Sequence, residues 1–211
     1  IMARTSNLKS RGEDAIEDVA NSLSFASQFG SPIFFGALAF PEKIVVTAYG
    51  TEFEQAATLL VGLALYQIFN TQSSVFGNIL AGLDRHNLNL RVSVLAFVIN
   101  IILGYILIFQ YGALGVVAAT VIASIVEYTA GAYLLSLYDM PFVSKTVIQE
   151  ILAGLLMYVT LVLLLPHVAI DSWFVLLSAI LSAGIVYFAV LVIISGRVRG
   201  VVRPFFDAVV T

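Results

Sequence analysis

The sequence predicts an all-α integral membrane protein built as a bundle of six transmembrane helices. Of its 211 residues, 60% are hydrophobic and only 11% are charged, and the apolar residues form long continuous runs. Soluble domains carry roughly 25% charged residues, and a helix needs about 20 apolar residues to cross a bilayer. The composition and the length of these runs therefore exclude an ordinary soluble domain.

Short polar or glycine-containing turns separate the predicted spans. We place the spans at about 24–40, 54–83, 90–109, 112–137, 146–165 and 172–195. Residues 1–23 are expected to form a cytoplasmic loop and an amphipathic lead-in, and Pro32 a kink in the first span. Residues 41–50 are too few to cross the membrane and predict a short interfacial helix that ends at a glycine. The tail 196–211 alternates basic and apolar residues, which is typical of a cytoplasmic segment on the membrane surface.

The basic residues predict the orientation. Of the 10 lysines and arginines, all but Lys43 fall on the side that carries both termini of a six-span topology. By the positive-inside rule, that side is cytoplasmic, so we expect a multi-pass protein of the cell membrane. The chain opens at Ile1 with a loop-like segment and without the pattern of a signal peptide. This opening predicts that the chain is the C-terminal part of a longer protein.

The second predicted span carries an unusual density of polar side chains. Its face at 100° per residue combines amides, hydroxyls and one cation: Gln67, Asn70, Thr71, Ser74, Asn78 and Arg85. Gln72 and Ser73 fall off this face. Because lipid offers no hydrogen bonds, the polar face predicts the wall of a hydrated cavity. The alternative is a set of hydrogen bonds that only hold neighbouring helices together.

Two polar residues lie deep in other spans. Asn100 near the middle of the third span either lines the cavity or makes a bond between helices. Glu127 is the only acid deep in a predicted span, where an ionised carboxylate is costly unless it has a partner. It follows Gly115, Ala119 and Ala123 at four-residue steps, which predicts close helix packing around it. Glu127 is thus a candidate for coupling to protons or sodium, unless it reaches the cytoplasmic headgroups.

Other chemistries find little support in the sequence. The chain has no cysteine, which excludes disulfides and thiol catalysis. Its two histidines form no metal-binding pattern and are interpreted as interfacial, as is Glu150 near a helix end. No glycine-rich phosphate loop is present, so ATP-driven transport by this chain alone is not expected. We predict no enzyme activity, no cofactor, no bound metal and no nucleic-acid partner.

The order of these features over about residues 10–140 resembles the C-terminal half of the multidrug/oligosaccharidyl-lipid/polysaccharide (MOP) flippase superfamily, most closely its polysaccharide-exporter branch. The resemblance rests on three segments: FPEKIVVTAYGTEFEQAATLLVGLAL, SSVFGNILAGLDRHNLNLRVSVLAFVINIILGYILI and QYGALGVVAATVIAS. It implies one half of a transporter of twelve to fourteen helices, in which two six-helix bundles face a central cavity. The implied partners are membrane lipids, a lipid-linked glycan, and the missing N-terminal bundle or a second copy.

Such a protein would be a flippase that moves a lipid-linked oligosaccharide or polysaccharide precursor by alternating access. The barrier is the desolvation of a polar headgroup, and amides and hydroxyls of the polar face would lower it for sugars. Arg85 at the cytoplasmic mouth would pair with a diphosphate, or would only anchor the topology. One alternative is a cation-coupled multidrug or solute antiporter of the same superfamily, which would need an ion gradient and a more apolar cavity. Another is a membrane scaffold that transports nothing.

Overall fold

The computed structural model describes residues 12–143, 145–164, 172–196 and 198–199. All regular secondary structure in this part of the chain is helical, which confirms the all-α fold class. A short 3-10 helix at Thr51–Ala56 joins α2 to α3. The α-helices are α1 (Gly12–Ala39), α2 (Pro41–Tyr49), α3 (Ala57–Gly82), α4 (His86–Tyr111), α5 (Ala113–Ser136), α6 (Lys145–Leu164) and α7 (Trp173–Ile194).

Four of the described helices are long and apolar enough to cross a membrane: α4, α5, α6 from Thr146 onward, and α7. Residues from Val19 to the end of α1 pass the same test together with α2, although the two parts are bent by 86°. Among the described residues, the helices that are long and apolar enough therefore account for four spans, or five if this pair crosses as one. Helix α3 has 26 residues, which is long enough, but its amides and hydroxyls make it too polar for the same criterion. That α3 is a sixth span stays a prediction.

The 86° bend between α1 and α2 falls next to Pro41, and a kink at Pro32, which lies inside α1, stays a prediction. Helix α1 continues through Pro32, and Phe40 then leaves the helical conformation with φ −146° and ψ 55°. A proline disfavours helical geometry in the residue before it and suits the first position of a new helix. Pro41 thus ends α1 and starts α2, which Gly50 closes at φ +102°. The predicted short helix at 41–50 corresponds to α2.

Contacts within the described chain define two compact units. The first comprises the described residues up to Gly30 and those from Thr58 to 143. Its apolar core consists of Val19, Leu23, Val75, Phe76, Ile79, Leu80 and Leu135. In this unit α4 and α5 form a tight hairpin around Gly112, whose φ is +57°. A methyl group at Gly115 would overlap the backbone carbonyl of Leu107, so the two helices touch through their backbones.

The second unit comprises Ser31–Ala57 and the described residues from 145 onward. Its core consists of Phe40, Ala153, Met157, Leu161, Leu176, Ala183, Tyr187 and Leu191. That Glu150 lies at the membrane interface stays a prediction, but its side chain is only 1% exposed and is therefore buried in this unit. The reason is helical spacing, because Glu150 shares the buried face of α6 with Ala153 and Met157. Two predicted segments, the chain before residue 12 and most of the basic tail at 196–211, lie outside the described residues.

Candidate functional site

A cleft of about 350 Å³ lies within the first unit. The second half of α3 and the first half of α4 form its walls, and α5 contributes one acid. Most of the side chains that line it are polar, and they come from three helices: Asn70, Ser73, Ser74, Gly77, Asn78, Ala81, His86, Asn89, Leu90, Ser93 and Glu127. The cleft therefore offers amides, hydroxyls, an imidazole and a carboxylate in one place.

Helical periodicity explains why these residues share one cavity. On α3, residues from Asn70 to Ala81 recur at steps of three and four, which keeps them on one face. On α4, polar residues recur in the same way from His86 to Ser93. The two faces meet closely at Gly77, where an added Cβ would lie 3.0 Å from both Oδ1 and Nδ2 of Asn89. The absence of a side chain at Gly77 lets the Asn89 amide lie against α3.

Glu127 faces α4 rather than lipid, as the spacing of small residues in α5 predicts. The hydroxyl of Ser93 donates a hydrogen bond to Glu127 Oε1 at 2.8 Å. Gly115, Ala119 and Ala123 are all buried, and they let α5 approach α4. The same close packing that holds the hairpin together therefore presents the carboxyl group of Glu127 to the cleft.

Aromatic rings hold α3 against α5 beside this carboxyl group. The ring of Tyr128 lies 5.6 Å from that of Phe69 and 5.3 Å from that of Phe76, measured between centroids. Gly131, one helical turn further along α5, makes room for Phe76, since an added Cβ would lie 2.8 Å from its Cδ2. Because Tyr128 follows Glu127 directly, this packing also fixes the position of the acid.

The structure brings together four of the residues predicted from the sequence: Asn70, Ser74, Asn78 and Glu127. It leaves two others outside the lining. Gln67 Nε2 donates to Thr71 Oγ1 at 3.4 Å, and Thr71 Oγ1 donates to the backbone carbonyl of Gln67 at 2.7 Å. Both hydrogen bonds stay within α3, on an accessible part of its surface.

Arg85 and Asn100 also lie outside the lining. The predicted polar face assumed that the helix continues to Arg85, but α3 ends at Gly82 and Asp84 has a φ of +59°. The turn redirects Arg85, whose guanidinium carbon lies 5.8 Å from the centroid of the Tyr138 ring. Asn100 is half-buried on α4 beside Gly104, away from the cleft. The lining contains no lysine and no arginine, so the predicted pairing of Arg85 with a diphosphate has no counterpart in the cleft.

Sequence reasoning missed four polar residues of the lining: Ser73, His86, Asn89 and Ser93. Ser73 was placed off the polar face, and His86 was interpreted as interfacial. The third span was expected to begin at about residue 90, so the polar residues before it were assigned to a turn. Their recurrence at steps of three and four was the available signal, since helix α4 in fact starts at His86.

These features define a multi-pass, all-helical membrane protein with a polar cleft among its helices. The chain is similar to the probable low-salt glycan biosynthesis flippase Agl15 of Haloferax volcanii, with 33% identity over 138 residues, which cover 64% of this chain and 29% of that protein. It is also similar to the uncharacterized membrane protein MJ1375 of Methanocaldococcus jannaschii, with 30% identity over 105 residues, which cover 50% of this chain and 25% of that protein.

No family model and no solved structure matches the chain. The matched regions are under a third of the length of either relative. The similarity to Agl15 confirms the resemblance to a segment of a flippase that the sequence indicated. At the level of the family, it supports a membrane flippase or transporter.

Proposed function

We propose that this chain forms part of a flippase that moves a lipid-linked oligosaccharide or polysaccharide precursor across the cell membrane by alternating access. The observation that carries the proposal is a polar cleft in a unit that also contains two helices of membrane-spanning length and composition. The similarity to a probable glycan biosynthesis flippase supports it. Transport of this kind makes and breaks no covalent bond, so the proposal includes no enzyme activity.

The cleft suits this task because the barrier to flipping is the desolvation of a polar headgroup. Hydrocarbon offers no hydrogen bonds, and each unpaired polar group there costs several kcal/mol. Asn70, Asn78 and Asn89 each place an amide in the cleft, and an amide both donates and accepts hydrogen bonds. Sugar hydroxyls can therefore exchange water for these groups while the lipid tail stays in the bilayer.

The position of the cleft fits an entrance on the cytoplasmic side. It lies next to the turn between α3 and α4, which the distribution of lysines and arginines assigns to the cytoplasm. In the proposed transporter, a second bundle faces the cleft across the substrate path. That bundle is either a further part of the same polypeptide or a second copy of this chain.

Glu127 favours a second candidate, a cation-coupled antiporter. Its carboxyl group lines the cleft and accepts a hydrogen bond from Ser93, so a proton or sodium ion could bind where the substrate binds. This candidate predicts that transport requires an ion gradient and that Glu127→Gln removes this requirement or abolishes transport. Transport by Glu127→Gln with an unchanged ion dependence would contradict the coupling role.

The location of lipid-linked glycans in cells that lack the protein tests the main proposal. A membrane-impermeant sugar-modifying enzyme reports which precursors are exposed on the outer surface. We expect precursors to accumulate in a shielded form without the protein and to become exposed when it is restored. Unchanged exposure in the deletion strain would contradict glycan flipping.

Two double variants of α3 then test the cleft itself. Asn70→Ala with Ser74→Ala removes polar groups of the lining, whereas Gln67→Ala with Thr71→Ala removes an amide and a hydroxyl from the same helix outside it. At equal expression, the first variant should restore exposure poorly and the second should restore it well. Equal restoration by both would contradict a role of the cleft in binding the substrate.

A further inference from the structure

We propose that the cleft binds the sugar part of the substrate and that Glu127 selects uncharged sugars over carboxylated or phosphorylated ones. This inference rests on the proposed function and adds the class of glycan. It follows from the balance of charges around the cleft. Glu127 contributes a carboxyl group, and no lysine or arginine lines the cleft to offset it.

The nearby cations do not change this balance. Arg85 lies over the ring of Tyr138 at 5.8 Å, and Arg91 is exposed on α4 outside the lining. His86 lines the cleft but is itself exposed. Arginine and lysine are the usual charge-assisted partners of phosphate in proteins, and neither lines the cleft. The phosphates of a lipid-linked substrate are therefore expected to stay outside the cleft while the sugar enters it.

The hydrogen bond of Glu127 fits a role in binding hydroxyl groups. Ser93 Oγ occupies one acceptor position of Oε1 at 2.8 Å, and an ionised carboxylate has about four such positions. The remaining positions can accept hydrogen bonds from sugar hydroxyls. An anionic sugar would instead bring a negative charge close to the Glu127 carboxylate, and like charges repel each other at short range.

The test uses the protein in liposomes with two matched probes. Both are fluorescent nitrobenzoxadiazole-labelled short polyprenyl-linked sugars, one with glucose and one with glucuronate. Dithionite bleaches only the label in the outer leaflet, so the rate of bleaching reports the exchange of probe between leaflets. We expect the glucose probe to move about tenfold faster than the glucuronate probe, because repulsion from one nearby charge is of this order.

Glu127→Gln removes the charge and keeps an oxygen that can accept the Ser93 bond. We expect it to reduce the preference for glucose from about tenfold to about threefold or less. Glu52→Gln is the matched control, since Glu52 is an exposed acid in the 3-10 helix, and it should leave the preference unchanged. Because Glu127 is also the candidate coupling residue, equilibrium binding of both probes to the protein in nanodiscs is measured as well. Binding reports the preference even in a variant that no longer transports.

The possible outcomes separate this inference from the proposed function. Movement of both probes at equal rates by the unchanged protein would overturn the inference and leave the flippase intact. A preference for glucose that persists in Glu127→Gln, in both transport and binding, would overturn the role of Glu127. If the unchanged protein neither moves nor binds either probe, the inference falls together with the proposed function.

Discussion

Replacement of Gly115 by alanine tests how closely α4 and α5 are packed. A Cβ at Gly115 would lie 2.5 Å from the carbonyl carbon of Leu107 and 2.9 Å from its Cβ. Ordinary van der Waals contact begins at 3.4 Å, so the helices must separate locally by at least about 0.9 Å, the difference between 3.4 and 2.5, and the carbonyl oxygen of Leu107 lies closer still. The opposing atom belongs to the backbone and cannot rotate away as a side chain would.

Overpacking of this kind costs about 1–3 kcal/mol, and the better helix propensity of alanine returns at most about 1 kcal/mol. We therefore expect Gly115→Ala to destabilise the protein by about 1–2 kcal/mol. Gly104→Ala is the matched control on the same pair of helices. Its Cβ would lie 3.9 Å from the Cβ of Ala119, which is an ordinary contact, so this variant should be as stable as the unchanged protein or slightly more stable.

The assay is the temperature at which half of the purified protein in detergent loses its monodisperse peak in size-exclusion chromatography. Gly115→Ala should lower this temperature by several degrees, and Gly104→Ala should not. Equal midpoints for the two variants would show that the hairpin is not packed through its backbones. The clash at Gly115 lies close to the Gly112 turn and far from the cleft, since Glu127 is 12 residues, or about 18 Å of helix, from Gly115.

Substitutions at Gly77, Gln72 and Arg85 give three further predictions. Gly77→Ala should displace the Asn89 amide, since its Cβ would lie 3.0 Å from Oδ1 and Nδ2. Gly77→Ala should therefore slow flipping in the dithionite assay, and the double variant with Asn89→Ala should be little slower than Gly77→Ala alone. If the effects of the two substitutions add, the contact between Gly77 and Asn89 is contradicted. Gln72 is 5% exposed and its Oε1 has no partner among the described residues. Both Gln72→Glu and Gln72→Leu lose the hydrogen bond that Gln72 Nε2 donates to the backbone carbonyl of Leu23 at 3.2 Å. Gln72→Glu should lower the thermal midpoint more, because it also adds a buried unpaired charge. Arg85→Ala should lower the free energy of unfolding by at most about 1 kcal/mol, through the lost contact with Tyr138. It should leave flipping nearly unchanged. A loss of flipping as large as that of Asn70→Ala with Ser74→Ala would instead indicate that Arg85 binds the substrate.

The polar face of α3 shows which lining residues helical periodicity can predict and which it cannot. Asn70, Ser74 and Asn78 were predicted to line one cavity, and all three do. The prediction failed for Arg85, because the projection extended an ideal helix beyond Gly82, where the real helix ends. Helix ends are set by local turn geometry, and one residue with positive φ is enough to redirect the side chains that follow.

The missed residues of α4 have a different cause. His86 and Asn89 were assigned to a turn because they are polar and precede an apolar run. The structure includes them in the first turns of α4, where they line the same cleft as the polar face of α3. Whether a polar residue near a helix end meets water or another helix depends on the neighbouring helix, which a single sequence does not identify.

The sequence by itself determined the all-α membrane class. In a bilayer only a closed backbone hydrogen-bonding pattern is tolerated, so long apolar runs with few charges leave little choice of structure. Periodicity also determined that α3 has one polar face. Only the tertiary structure decided what that face meets, including the bond between Ser93 and Glu127, which are 34 residues apart. The physical reason is that helical spacing is a local property, whereas the contact between two helices depends on where their small residues allow close approach.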